Sequence, residues 1–355
     1  MASHFRPPPF HSERSTLIAP VRVDPTGRTG PTESQALGSQ WRRTSRGLYV
    51  PADVDPGGVE QRIVEAAALI PRGGGAVTGW AALCWLGGRW FDGRTPLGRP
   101  LSVELAMWSD LRPQDGVRVC KERLNPGEVM YVDGLPVTIP VRSVCFAMRY
   151  AENVRDAVRI FDTAAYNDLV SLAEARAYGG MAPRIGLSGW TGIPQFRKAL
   201  ALADENAWSP QEVAMRLVWT EDAELPRPRT NAPIFDRRGN HIATPDLFDE
   251  EAGVAAEFDG PHHLDRRQRA RDVRREEALR NVGLEYLTML GGDSANRLEL
   301  VRRMIETRRR ALWLPESERA WTLNPPPWWV STSTVAERRR LTADQRRRLL
   351  RNRAA

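Results

Sequence analysis

The sequence predicts a mixed α/β (α+β) chain with more than one folded part, and three observations lead there. It has 355 residues, 41% of them apolar and 27% charged, enough to bury two or three cores. Its apolar pattern switches repeatedly between the two-residue period of strands and the 3.6-residue period of helices. From Ser209 onward the order helix, three strands, helix, strand reads as one small α/β unit. The mean hydropathy is −0.45, and no apolar run approaches the length of about 18 residues that a membrane-spanning helix needs. The first residues carry no apolar stretch of the kind a secretory signal requires. A cytoplasmic protein with no membrane partner is therefore expected. Cys84, Cys120 and Cys145 are spaced too widely for a disulfide framework or a metal knuckle and read as core thiols.

Residues 1–40, rich in Pro, Ser, Thr and Gly with little apolar periodicity, read as a disordered leader. Structure is expected from Trp41. Over 41–100 the pattern gives a strand at 47–50, a helix with Ile63, Ala66, Ala67 and Ile70 on one face, a Gly-rich break and a second helix. That size and order fit a winged-helix-like module. Residues 101–204 form a second region, with strands at 101–108, 116–122 and 128–140, then helices from Val141 to about Asp204. The last strand run contains Asp133-Gly134, a short-range hairpin signal.

The next unit covers 205–314. Ser209-Pro210-Gln211-Glu212 has the N-cap, N1 proline and N3 glutamate of a capping box, and Met215, Leu217, Val218 and Trp219 follow as apolar helix positions. NAPIFD and NHIATPDLFD flank the turn DRRGN, and GVAAEFDG is the third strand. HLDRRQRARDVRREEALRNVG is a charged helix, GLEYLTM a fourth strand and SANRLELVRRMIETRRRALW the closing helix. Residues 315–355 are a Pro/Trp-rich segment and a basic tail, in which Trp328 and Trp329 are expected to pack back on the domain rather than stack on bases.

The formal charge of +7 and the use of 49 arginines against two lysines suggest a polyanionic partner. Most of that charge lies in residues 331–355, where eight arginines face Glu337 and Asp344. Arg338, Arg339, Arg340, Arg346, Arg347 and Arg348 of this tail are expected to give sequence-independent affinity for nucleic acid.

The chemistry concentrates between Asp246 and His263. Strand alternation in GVAAEFDG puts Ala256 and Phe258 on one face and Ala255, Glu257 and Asp259 on the other. Thr244-Pro245-Asp246 ends or interrupts the preceding strand, which in a hairpin-connected sheet brings Asp246 beside Glu257. Each like-charge pair at about 5 Å costs roughly 3 kcal/mol at an effective dielectric near 20, so the three carboxylates need a cation, a raised pKa or separation. A hard divalent ion, Mg²⁺ or Mn²⁺, meets that need. His241, His262 and His263 fall in the same window, close to where a hydrolytic base is wanted. Blander readings stand beside these: Glu212 as a capping residue, Asp246 and Asp259-Gly260 as turn formers, and the arginines of the charged helix as a solvated face.

Pro245-Asp246, ten intervening residues, then Glu257-Phe258-Asp259-Gly260-Pro261-His262-His263 resembles the P-D…E-x-D-G-x-x-H pattern of the Vsr-like branch of the PD-(D/E)XK nuclease superfamily. The resemblance covers 205–312 and implies a restriction-endonuclease-like αβββαβα domain. It implies that Asp246 and Glu257 bind the metal with the Phe258 carbonyl, that Glu212 approaches from the leading helix, and that His263 sits near the attacking water. Asp272 and Arg275 match a further D-x-x-R pattern, anchoring the helix or touching phosphate. Asp259 stands where the superfamily's core motif has a lysine, so that role passes to His263, to an arginine such as Arg275, or is lost.

TSRGLYVPADV, AVTGWAALCWLGG and GLPVTIPVRSVCFAMRY resemble the antitoxin domain of type IV (abortive-infection) toxin-antitoxin systems, a winged helix followed by an α/β domain, over residues 41–165. Two functions follow as expectations. The first is a metal-dependent endodeoxyribonuclease acting on DNA, in phage defence or DNA repair. The second is a non-enzymatic antitoxin-like transcriptional regulator with a degenerate nuclease fold and a cognate toxin as partner.

Overall fold

The computed structural model describes residues 5–95, 97–112, 114–125, 127–180, 190–260 and 266–351, with backbone alone for 266–272 and 294–295. Helices and sheets are mixed throughout, and the chain divides into two compact units, Met1–Tyr150 with Ala177–Ile193, and Ala151–Arg176 with Pro194–Ala355.

The first unit opens with a hairpin, β1 (Pro9–His11) and β2 (Arg14–Ile18), and a capped turn of helix, α1 (Glu33–Ala36). The expected disordered leader is thus corrected. Leu17 and Ile18 are buried, and the Gln61 side chain bonds both backbone groups of Ile18 at 3.0 and 2.9 Å. Too few apolar residues lie in this segment to signal folding locally; their partners are more than forty positions away.

A second hairpin, β3 (Trp41–Ser45) and β4 (Leu48–Pro51), turns at Gly47 with φ +73°. Then follow α2 (Val59–Ala67), β5 (Gly75–Thr78), α3 (Gly79–Trp85), β6 (Val103–Met107), β7 (Val117–Cys120), β8 (Val129–Val132), β9 (Leu135–Thr138) and α4 (Pro140–Arg149). The five strands form one sheet in the order β7-β6-β5-β9-β8. Asp133 and Gly134, both at positive φ, join β8 to β9, as the Asp-Gly signal predicts for a tight hairpin. Because β5 is the central strand, residues 41–100 are not a separate winged-helix-like module. Their helices α2 and α3 pack on a sheet whose other four strands lie beyond residue 100.

The second unit contains α5 (Val154–Tyr166), most of α6 (Leu172–Gly180), α7 (Ile193–Leu202), α8 (Pro210–Leu217), β10 (Arg229–Thr230), β11 (Ile234–Asp236), β12 (His241–Ala243), β13 (Leu247–Asp249) and β14 (Val254–Asp259). It continues with α9 (Arg266–Asn281), β15 (Glu285–Leu290), α10 (Arg297–Arg310), β16 (Trp321–Thr322), α11 (Val335–Arg339) and α12 (Ala343–Leu349). The main sheet runs β10-β13-β14-β15, with β13 antiparallel and β15 parallel to β14. Met215, Trp219, Leu300 and Met304 cover one face with Val254, Ala256, Leu287 and Met289, while Leu279 and Trp321 pack with Phe248 and Ala255 on the other. The alternation expected for GVAAEFDG is therefore how β14 is built.

The run NHIATPDLFD does not form one strand. It breaks at Thr244-Pro245, so β12 pairs with β11 in a small sheet with β16, and β13 pairs with β10 and β14. Proline has no N–H for the ladder, and the break at Pro245 lets one run serve two sheets.

Within this unit Asp162 and Arg216 are an ion pair with side chains 0% and 2% exposed, and the Asp204 N–H donates to Asp162 Oδ1 at 2.8 Å. Burial pushes the Asp162 carboxyl up to about 7, against the pull of Arg216. A carboxyl raised on folding favours the folded state fully below its unfolded value of about 4, and that contribution is lost as pH rises through about 7. Urea melts of Asp162→Asn between these limits are expected to show a lower stability and a flatter pH dependence than the wild type. An unchanged slope would remove Asp162 as its source.

Candidate functional site

Strand β14 ends on Glu257, Phe258 and Asp259, and the antiparallel register Leu247↔Ala256 brings Asp246, one residue before β13, beside Glu257. The Phe258 N–H donates to Asp246 Oδ2 at 2.7 Å, and the Asn231 N–H donates to the Asp246 carbonyl at 3.0 Å. Phe258 is half-buried and packs toward the α8/α10 core, behind the carboxylates. Asp246 and Glu257, paired by sequence spacing, are thus neighbours in space.

Glu212 reaches the same place from α8. Ser209 caps that helix by accepting from the Glu212 N–H at 3.2 Å. The reciprocal half of the expected capping box is absent: the Glu212 carboxylate instead accepts from the Trp208 N–H at 2.7 Å and from Asn231 Nδ2 at 2.6 Å. Asn231 sits at φ +46°, a left-handed conformation that Asn tolerates better than most residues, and so presents its N–H to Asp246 and its amide to Glu212.

Glu257 is held on both oxygens. Arg275, from α9, lies 3.1 Å from Oε1, and the Tyr286 hydroxyl donates to Oε2 at 2.8 Å. Burial first, then the adjacent Glu257, pushes the Tyr286 phenol far above its ordinary value, so it remains a donor. Tyr286 and Asn231 were not among the residues picked out from sequence. The signal for Tyr286 lies in strand alternation: the parallel register Glu257↔Thr288 puts Tyr286 and Thr288 on the face of Ala255 and Glu257.

Among the described residues, the charges that bear on Asp246 leave it short of positive charge. Asp246 is driven well above the ordinary carboxyl range, mainly by burial and next by the Glu212 charge, with Glu257 adding to both. The Phe258 N–H and Arg275 oppose this only in part. A cation would relieve that shortage. Among the described residues no group of three or more His, Cys, Asp or Glu is placed to hold a metal ion. Mg²⁺ needs no such cage, since one or two carboxylates complete its shell with waters and substrate phosphate, and Asp246 with Glu257 fits that pattern.

Asp259, at the end of β14, is exposed and level with Leu290. His263 lies outside the described residues, as does the side chain of Asp272. His241 sits on β12, where Nε2 is 2.9 Å from Thr244 Oγ1 and the ring stacks on Trp329.

The tail differs from a loose polycation. Arg338 is fully buried: it donates to Asp168 Oδ1 at 2.6 Å and to the carbonyls of Thr332, Ala165 and Glu205. It is therefore corrected from a nucleic-acid contact to a structural anchor. Arg346 also pairs with Asp168 at 2.5 Å, Arg339 with Glu174 at 2.7 Å, and Arg347 with Asp344. Arg340 and Arg348 are exposed. Asp168, in the turn after α5, and Glu174, on α6, compensate part of the charge of this segment.

No helix among the described residues is long and apolar enough to cross a membrane. Comparison of the chain with family models, curated proteins and solved structures gave no match.

Proposed function

We propose that the second unit is a metal-dependent endodeoxyribonuclease of the Vsr-like PD-(D/E)XK type. The observation that carries this reading is the juxtaposition of Asp246 and Glu257, from a strand entry and a strand end, with the Glu212 charge bearing on them from α8 and Arg275 compensating only in part. Asp246 and Glu257 would hold Mg²⁺ or Mn²⁺, with the Phe258 carbonyl as a further ligand. The bound ion supplies neutralisation of the charge that develops on the phosphate oxygens. The chain's own residues set the geometry: Tyr286 fixes one oxygen of Glu257, the Phe258 N–H fixes Asp246, and Asn231 ties Glu212 to the Asp246 backbone. Arg275, 3.1 Å from Glu257 Oε1, would take the role of the superfamily's lysine and meet a phosphate oxygen. His263 would position or deprotonate the attacking water. DNA is the substrate, and a cognate toxin is a second partner if the first unit acts as an antitoxin.

Arg275 already neutralises Glu257 in part, which favours a second reading, a metal-free regulator that keeps the nuclease fold as a binding platform. Divalent binding separates the two. With the ion at ten times its Kd, the site gains about 1.4 kcal/mol, and Tm rises by roughly 3–6 °C. Asp246→Asn is expected to abolish that rise while leaving the metal-free protein at least as stable as wild type, because it removes a carboxylate that its surroundings disfavour. Calorimetry detecting no Mg²⁺ or Mn²⁺ binding at millimolar concentration would leave the regulator reading.

A further inference from the structure

The segment Pro325-Pro326-Pro327-Trp328-Trp329 lies on the small β12-β11-β16 sheet of the second unit. Trp329 is half-buried: its ring meets Phe235 edge-on at 5.0 Å and stacks on His241 at 5.3 Å. Trp328 meets Trp329 at 5.8 Å and Phe235 at 6.4 Å, both edge-on, yet remains 63% exposed. The expectation that both tryptophans pack back on the domain therefore describes Trp329 and leaves Trp328 outside. An indole so placed, rigidly backed by a second indole and carried on a proline run, leaves a large apolar surface in water.

Two features give this surface a charge and a direction. Pro326 is packed against the β11-β12 turn, where a Cβ on Gly239 would come within 3.3 Å of it, and the exposed Arg238 is the neighbouring residue of that turn. An exposed cation thus lies on the turn that the proline run packs against. On its other side His241 feels the charge of Arg275, the residue that pairs with Glu257. Burial, and then that charge, lower the pKa of His241, so its ring is a neutral stacking partner at neutral pH. The patch and the carboxylate site lie on neighbouring elements, β12 with His241 and α9 with Arg275.

We propose that Trp328, backed by Trp329 and His241, is a stacking platform for an unpaired nucleobase of the DNA strand, with Arg238 on the adjoining phosphate. The substrate class rests on the nuclease reading above. Aromatic stacking next to a cation is the general chemistry of single-strand binding, tolerant of sequence because every base has a π face. Chemistry at a phosphodiester next to the platform would then take a strand locally opened from its duplex.

The test is fluorescence anisotropy with the full chain and a labelled thymidine oligonucleotide, in Ca²⁺ to suppress cleavage and again without divalent ion. Trp328→Ala is expected to weaken binding about tenfold, and Trp328→Phe to stay within about threefold of wild type. An abasic oligonucleotide of equal length should bind wild type and Trp328→Ala alike, because it carries the phosphates without the bases. Arg238→Ala, at an exposed site that does not threaten folding, should reduce the slope of log affinity against log salt by about 0.7 for both oligonucleotides. Equal affinity of wild type and Trp328→Ala for the thymidine strand would overturn the platform. So would an equal loss on the abasic strand, which would point to a general packing role. Base-dependent binding without cleavage by wild type would end the nuclease reading and keep the platform, whereas cleavage with a silent Trp328→Ala would do the reverse.

Discussion

Glu257→Gln is expected to lower divalent-dependent DNA cleavage by about a thousandfold with little change in fold. The amide keeps the shape of the side chain and still offers an oxygen to the Tyr286 hydroxyl, which donates to Oε2 at 2.8 Å in the wild type. It loses the ion pair with Arg275, whose side chain is 40% exposed, so the loss of stability stays within about 1 kcal/mol after solvent screening. It also removes one of the two charges that would hold the ion, and with it the neutralisation on which attack at phosphorus depends. Plasmid nicking and cleavage of linear duplex in Mg²⁺ or Mn²⁺, read beside circular dichroism, make the comparison. Cleavage by Glu257→Gln at the wild-type rate would place the chemistry elsewhere.

Arg338→Ala is expected to destabilise the second unit by about 3–5 kcal/mol, on the order of 10 °C in Tm. The guanidinium is fully buried and spreads its donors over the Asp168 carboxylate and the carbonyls of Thr332, Ala165 and Glu205. Truncation removes the Arg338 donor from each of these acceptors, leaving the Ala165 carbonyl with the Asp168 N–H and the Asp168 carboxylate with Arg346, and under-satisfied buried polar groups carry large single-site penalties. Lysine at 338 recovers only part of the loss, because a point charge cannot reproduce the planar fork. Arg340→Ala, on the exposed side, should change stability by no more than about 0.5 kcal/mol. Thermal melts in which the two variants coincide would refute the anchor. The same geometry redirects experiments on nucleic-acid affinity: removing residues 331–355 would take away a structural element, whereas Arg340 and Arg348 can be neutralised without touching it.

The local rules of the chain were legible without coordinates. The helix starting after Ser209, the Asp133-Gly134 hairpin, the strand runs from 101 to 140 and the two faces of Val254–Asp259 each depend on residues within one or two turns or strand periods of one another. The carboxylates Asp246 and Glu257 were legible for the same reason, since one antiparallel pair separates them.

What the tertiary structure decided is which distant segments meet. Apolar periodicity marks a strand but carries no label for its partner, so the division of NHIATPDLFD between two sheets, the central place of β5 and the addition of Trp321–Thr322 to the β11 edge could not be read from it. Composition likewise made residues 9–18 look like a leader and Arg338 like a solvated charge. Gln61 and Asp168, 43 and 170 positions away, make the first a buried hairpin and the second a buried anchor. Tyr286 and Asn231 join the site by the same route. Burial and hydrogen bonding are properties of neighbourhoods, and a neighbourhood assembled from remote parts of the chain leaves its polar members looking, in sequence, like any other surface residue.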